Sequence, residues 1–479
     1  MISLSSRRVS VRALVIAVGT ALPVAALAQT SPAPAGEAAS AKSAPFDLAK
    51  AEAAADAEAN WIIKRGAAPG VCIGVARAGQ VLFAKGYGKA DLENDVAVTP
   101  ESIFRIASIT KQFTAAAIMK LVEQGKVKLD EPVKTYIPEF QESAAGVTVR
   151  HLLTHTSGLP DFTDLREARE AIGGRVDVTY RDIVALFEKL PLLFQPGEKH
   201  EYCNTGYLVL GEIIARVSGM TYPEYLHREL LAPLGLQHTG YADLRTIVPN
   251  RVHGYFDERG QFFNPRYMSP DVAGGAGAVQ STVLELIKWT HLLHTGKVVS
   301  MDSVRAMTTP VTLNDGTTAP YGSGLQLFPR LDRPTISHGG NGNGFSAFLS
   351  HWPTDDLTVV VLANGRAVLP NLAGEAVARV ALGIEQPAIK VAADLTKYEG
   401  TYTLTLGERT FDLRVYAEDG ILIGHRAGNR PFRLVPVGEH RFQHDQDSDT
   451  EFRFTLEAGK PAEVTLVNPR GEFPGKRKP

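Results

Sequence analysis

Cysteine is nearly missing from this sequence: Cys72 and Cys203 are the only two in 479 residues. One pair is no framework for a disulfide-built fold in a chain this long, so an apolar core must hold it. The two fall in segments assigned to different parts of the fold, and both are expected as free, partly buried thiols. An excess of charge of either sign is missing too, since 50 Lys and Arg face 52 Asp and Glu, a formal net charge of -2. No global field therefore draws the chain to nucleic acid or to an anionic membrane. Long apolar runs are missing after residue 26, and the run at 13–26 is too short to span a bilayer comfortably. No Gly-x-Ser-x-Gly elbow is present, which argues against an α/β-hydrolase, and no P-loop or dinucleotide-binding glycine pattern stands out.

The N-terminus carries the layout of a cleavable secretory signal. Arg7, Arg8 and Arg12 precede the apolar run, which ends in Ala26-Leu27-Ala28. A secreted or periplasmic protein beginning near Gln29 is expected, with residues 1–28 as signal and 29–45, rich in Ala, Ser and Pro, as flexible linker. The remainder, 44% hydrophobic and 21% charged, has the composition of a globular protein and the length for two domains. The first is placed at 46–384, followed by a linker at 385–397 and a second domain at 398–479.

Within the first domain an alanine-rich helix at 46–65 is closed by Gly66, and strands at 71–77 and 80–88 meet at Ala78-Gly79 as a hairpin. The segment 108–124 is apolar on all sides, as a buried helix would be. Further helices are expected at 180–190, 205–218, 223–231 and 279–293, strands at 334–337, 345–352 and 357–363, and a last helix at 371–382. Strands at both ends around a helical middle imply an α/β (α+β) domain. One antiparallel sheet is flanked by helices, with an all-helical lobe beside it and a ligand cleft between. From about residue 394 the texture changes to short alternating strands at 400–406, 410–417, 420–425, 432–437, 452–456 and 462–467. That is a small all-β module, a barrel or open sandwich, and Lys476, Arg477 and Lys478 are read as its solvated tail.

Three pieces carry chemistry. Ser108-Ile109-Thr110-Lys111 puts a hydroxyl and an amine three residues apart at a helix start, on one face. A buried lysine loses part of its preference for the charged form and can act as a base. The serine's own N–H, in the first turn, can face an oxyanion. Tyr202-Cys203-Asn204 adds a phenol able to hold a proton in flight and an amide that can serve lysine or substrate. His338-Gly339-Gly340-Asn341 ends a predicted strand, where glycines leave room for a substrate along the sheet edge and the histidine can bond the tyrosine or a substrate carboxylate. Each piece alone has an ordinary structural explanation as cap, core tyrosine or turn.

Together and in this order they resemble the penicillin-recognising serine hydrolases: class C β-lactamases, D-Ala-D-Ala carboxypeptidases and their esterase and D-aminopeptidase relatives. The motifs Ser-x-x-Lys, Tyr-x-Asn and Lys/His-x-Gly match at Ser108, Lys111, Tyr202, Asn204, His338 and Gly340. Neighbouring phrases match as well: Phe104-Arg105-Ile106-Ala107, residues 151–159, Gly274-Gly275 before a helix, and Tyr321-Gly322-Ser323-Gly324. The resemblance implies that Ser108 is acylated, that Lys111 and Tyr202 share the proton work, and that Asn204 orients Lys111 and contacts substrate. It also implies an oxyanion hole from the N–H groups of Ser108 and Asn341, and no cofactor. His338 stands where true β-lactamases usually have lysine. That moves the expectation from β-lactam defence towards a D-amino-acid peptidase or carboxypeptidase, or an esterase. Cys203 gets no catalytic role, and the C-terminal module resembles lipocalin-like additions seen in some members.

His151 and His155, at i and i+4, have a spacing that can hold zinc, but no glutamate stands between them to act as base, and no metal is expected. The rival readings are a sensor on the same fold that is acylated by cell-wall fragments or penicillins without releasing them, and a non-covalent peptidoglycan binder working through the C-terminal module.

Overall fold

Alanine at every fourth position shapes the first helix. Leu48–Lys64 is capped by Asp47, whose carboxylate accepts from the Lys50 N–H at 3.1 Å. It buries Ala51, Ala55 and Ala59 in a row. A ridge of such small side chains lets it lie close to the helix Pro370–Ala381, which answers with Ala373, Val377, Ala378 and Ala381. The structure, a computed structural model, describes residues 47–165, 178–258, 261–384 and, apart from short gaps, 394–478. The expected signal, the linker at 29–45 and most of the linker at 385–397 lie outside the described residues.

Both helices cover one face of an antiparallel sheet with the strand order Ile336–Gly342, Phe345–Trp352, Leu357–Ala363, Gly70–Arg77, Gln80–Asp91, Val96–Ala97. Its central strands are apolar runs buried along almost their whole length, because helices cover the other face as well. The expected hairpin is present, with Ala78 at φ +50° and Gly79 at φ +73° in the turn, the left-handed pair that suits two twisted strands. On the second face lies the helix Val283–His294, and behind it packs the helix Thr110–Glu123. It is buried on every side over its first three turns, and Phe113 stacks on Trp289 with ring centres 4.0 Å apart.

The expected helix at 279–293 is corrected. Val279–Ser281 is a strand between Phe104–Arg105 and Gly240–Tyr241, and the helix Val283–His294 begins only after Thr282, which accepts from the Glu285 N–H. A short apolar run does not distinguish strand from helix until its partners are known. The pair Gly274-Gly275 therefore precedes a strand; it lies within Pro270–Gly277, where Gly274 breaks the helix at φ 41°, ψ -131°. The edge strand is longer than expected and runs through the glycines of the His338 motif.

Residues 400–477 close a barrel of eight antiparallel strands. Two were not foreseen, Arg441–His444 and Gly471–Arg477, and the second corrects the tail: Lys476, Arg477 and Lys478 are exposed, but the strand pairs with Gly400–Leu406 and closes the barrel. Arg477 donates to the Glu399 carbonyl at 2.7 Å and Lys478 to Asp412 at 2.6 Å. The barrel rests on the first helix: Arg433 pairs with Glu58 at 2.5 Å over the Trp61 ring, and the Trp61 indole donates to Asp445 at 3.2 Å. No helix among the described residues is long and apolar enough to cross a membrane.

Candidate active site

Ser108 lies in a tight 3-10 turn, Ala107–Ile109, that runs directly into Thr110–Glu123. The residue before it, Ala107, is held at φ +45°, a conformation costing a side-chain-bearing residue on the order of 1–3 kcal/mol. The turn leaves Ser108 half-buried at the cleft and puts Lys111 in the first turn of the helix, with none of its surface exposed. Lys111 Nζ reaches three acceptors: Ser108 Oγ at 3.1 Å, Asn204 Oδ1 at 2.9 Å and the Ala276 carbonyl at 2.9 Å. That carbonyl is available because the chain approaches closely at Gly275, where a Cβ would come within 2.5 Å of the Tyr207 carbonyl.

Desolvation pulls the Lys111 amine down to about 7, against a weaker upward pull from Asp161. A neutral amine has two hydrogens and one lone pair. Asn204 Oδ1 and the Ala276 carbonyl can only accept, so they take the hydrogens, and the lone pair is left facing the Ser108 hydroxyl. The arrangement can remove a proton from that hydroxyl.

Asn204 is itself fixed by a residue that motif reading missed. Asp161 Oδ2 accepts from the Asn204 backbone N–H at 2.8 Å and from its Nδ2 at 2.9 Å, which turns Oδ1 towards Lys111. The signal was faint: Asp161 follows the matched phrase 151–159 by two residues. Tyr202 lies over Lys111, with Nζ 4.7 Å from the ring centre. Although 37% of its surface is exposed, the protein around the phenol oxygen raises its pKa by desolvation, and a hydrogen bond with Ser108 works the other way. The phenol therefore keeps its proton at neutral pH. Both thiols are free and more deeply buried than expected: Cys203 bonds the Leu159 carbonyl at 3.3 Å and Cys72 the Thr99 carbonyl at 3.6 Å.

The third motif lines the cleft from the sheet edge. A side chain at Gly340 would run into the Ile106 carbonyl, so glycine lets the edge strand close on the Ser108 turn. Ser337 bonds outward, exchanging both backbone hydrogen bonds with Gln326. By the alternation of a strand, the N–H groups of Gly339 and Asn341 face outward on the same side. The Asn341 side chain is occupied elsewhere, donating to the Arg366 carbonyl at 3.0 Å.

His338 does not bond Tyr202 and is not open to a carboxylate. It is 1% exposed; its Nε2 bonds the Tyr321 hydroxyl at 3.0 Å and its Nδ1 the Gly339 carbonyl at 2.6 Å. Burial, with Lys111 nearby, holds it down at about 3, so the ring is neutral. The two histidines do not share a helix face. The helix ends at Leu153, so His155 is off it, at φ +57°. His151 Nδ1 caps that helix, accepting from the Thr148 N–H at 3.2 Å; His155 bonds the Cys203 N–H at 3.0 Å and Tyr321 at 3.1 Å.

The family model described as Beta-lactamase matches residues 49–382. Penicillin-binding protein 4* of Bacillus subtilis (strain 168) is 30% identical over 401 residues, covering 77% of this chain and 86% of that protein. Among solved structures, the octameric penicillin-binding protein homologue from Pyrococcus abyssi superposes with a TM-score of 0.65 at 28% identity, over 90% of this chain and all of that one. The D-amino acid amidase from Ochrobactrum anthropi SV3, complexed with L-phenylalanine amide, gives 0.61 at 26% identity, over 69% of this chain and 98% of that one.

Proposed function

Because the chain belongs to the beta-lactamase family and is a serine hydrolase, we propose that Ser108 is its nucleophile and that it cleaves amide or ester bonds of small substrates through an acyl-enzyme. The observation that carries this reading is the buried Lys111, whose lone pair faces the Ser108 hydroxyl. In the first step Ser108 Oγ attacks the carbonyl carbon, its proton passes to Lys111, and the carbonyl oxygen becomes an oxyanion bonded by the N–H groups of Ser108 and Asn341. Tyr202, still protonated, hands its proton to the leaving amine or alcohol and is reprotonated from Lys111. Water then attacks the acyl group by the reverse proton route.

The state of His338 bears on the substrate. A neutral ring bonded at both nitrogens gives a substrate carboxylate no cation to meet. That favours D-amino-acid amides, D-aminoacyl peptides or simple esters over penicillins and over carboxypeptidase substrates, and the resemblance to the D-amino acid amidase supports the same choice. A sensor that is acylated and released slowly is the second reading, favoured by the likeness to a penicillin-binding protein. Under this proposal residues 1–28 are removed on export, 46–384 form the hydrolase and 398–479 the appended module, and the mature protein works outside the cytoplasm.

Intact-protein mass over time tests it, with the mature chain mixed separately with an activated ester, a D-amino-acid amide and a penicillin, beside Ser108→Ala. A Ser108-dependent adduct that turns over on ester or amide is the expected result. A long-lived adduct on penicillin alone favours the sensor, and wild-type hydrolysis by Ser108→Ala overturns the reading.

A further inference from the structure

Behind the residues that face Ser108, a single line of buried hydrogen bonds runs across the site. The Cys203 N–H donates to His155 Nδ1 at 3.0 Å. His155 Nε2 meets the Tyr321 hydroxyl at 3.1 Å, that hydroxyl meets His338 Nε2 at 3.0 Å, and His338 Nδ1 meets the Gly339 carbonyl at 2.6 Å. The three side chains are 1%, 2% and 1% exposed. The line has a forced direction. Its first group is a backbone N–H, which can only donate, and its last a carbonyl, which can only accept. His155 must then carry its hydrogen on Nε2, the Tyr321 hydroxyl must point at His338, and His338 must carry its hydrogen on Nδ1.

A second proton would cost either ring a hydrogen bond that the line now makes. On His155 it would set Nδ1–H against the Cys203 N–H, and on His338 it would set Nε2–H against the Tyr321 O–H. The charged or titratable groups facing the rings are Lys111, His200, Tyr202 and Tyr207, and among the described residues that face them none is a carboxylate that would offset the charge. The line also joins four pieces of chain: the turn at His155, the Tyr202–Asn204 segment, the loop at Tyr321 and the glycine edge strand. The loop is pressed on the Lys111 helix, since a Cβ at Gly324 would lie 2.5 Å from the Lys111 carbonyl.

We propose that Tyr321 is a positioning residue: by accepting from His155 and donating to His338, its hydroxyl locks both imidazoles in one neutral tautomer and holds the Tyr202–Asn204 segment in register with the edge strand that faces Ser108. Its effect on turnover rests on Ser108 being the nucleophile; the tautomers do not. Tyr321→Phe keeps the ring that packs against His155 and His200 and removes only the oxygen. His155 Nε2–H then loses its acceptor and His338 Nε2 its donor.

The test is two-bond proton–nitrogen spectra of the histidine-labelled mature chain between about pH 5 and about pH 8, where an ordinary imidazole titrates, with kcat and KM for an activated ester. In the wild type, His155 is expected as the Nε2–H and His338 as the Nδ1–H tautomer, neither titrating. In Tyr321→Phe at least one ring should lose its single tautomer and titrate, with kcat about 100-fold lower, as misplacement of reacting groups brings, and KM nearly unchanged. The opposite tautomer or a charged ring in the wild type overturns the proposal, as does a folded Tyr321→Phe with wild-type kcat. Should that variant fail to fold, the wild-type spectra alone decide. They need no substrate, so an active Ser108→Ala would end the nucleophile assignment and leave the tautomers standing.

Discussion

One oxygen of Asp161 holds both ends of Asn204, accepting from its backbone N–H at 2.8 Å and from its side-chain Nδ2 at 2.9 Å. The amide then has one orientation, with Oδ1 on Lys111. Asp161→Asn replaces an oxygen that only accepts with a group that can also donate, and frees the Asn204 amide to turn over. We expect kcat to fall about 10- to 100-fold with KM little changed, because reacting groups lose their alignment while substrate contacts remain. Steady-state kinetics on an activated ester decides; a wild-type kcat would show that Asn204 is held without Asp161.

Activity should follow the deprotonation of Lys111. Its folded pKa lies at about 7, so kcat/KM for acylation should rise with pH through that value and then level. Tyr202 is raised above the usual phenol range, so no loss of activity from its ionisation is expected near pH 10. The sign for stability is the same. The unfolded chain holds the lysine proton up to 10.5 and the folded chain only to about 7, so this residue's contribution to stability rises with pH across that interval. Lys111→Met should therefore raise the melting temperature at pH 6 while removing turnover. A variant melting below the wild type would mean that the buried amine is not a cost to the fold.

Gly340→Ala places a methyl against the Ile106 carbonyl, a rigid backbone neighbour. The edge strand must move off the Ser108 turn, at about 1–3 kcal/mol, as overpacking generally costs. Urea midpoints measure the stability and mass spectrometry the acyl adduct. Loss of both is expected, and full acylation in a stable variant would refute the close approach.

Cys72 is wholly buried and Cys203 is 4% exposed, with the Cys203 thiol pushed up to about 12 by burial and Cys72 raised as well. A disulfide-exchange reagent should find no reactive thiol in the native protein and two after unfolding. Fast reaction of one thiol in native conditions would mean that a segment opens.

The sheet-and-helix plan and the motif residues were legible because each rests on local pattern: a serine and lysine three apart, a hairpin turn, an alanine-rich stretch. Asp161 was not, and Tyr321 stood out only within a matched phrase with no role attached, because both act through other residues and their partners are distant in the chain. The strand Val279–Ser281 was hidden by the short apolar run that it shares with the following helix. The last barrel strand was hidden by its charge: Lys476 and Arg477 look like a tail until Gly400–Leu406 pairs with them. His338 was read by its type, whereas its state follows from burial and from a tyrosine in another loop.

The pairing of Val71 with Ala363 sets the timing of assembly. The strand Gly70–Arg77 leaves the ribosome early and can form its hairpin with Gln80–Asp91 at once, but its other neighbour, Leu357–Ala363, arrives only when most of the chain has been made. Closing so long a loop costs entropy before the pairing repays it, and a sheet joined across such a separation is the kind of topology that folds slowly. Until then the early hairpin is one edge without a sheet. The helix Pro370–Ala381 arrives as late as the strand that it covers, so until then the first helix has no neighbour to dock beside.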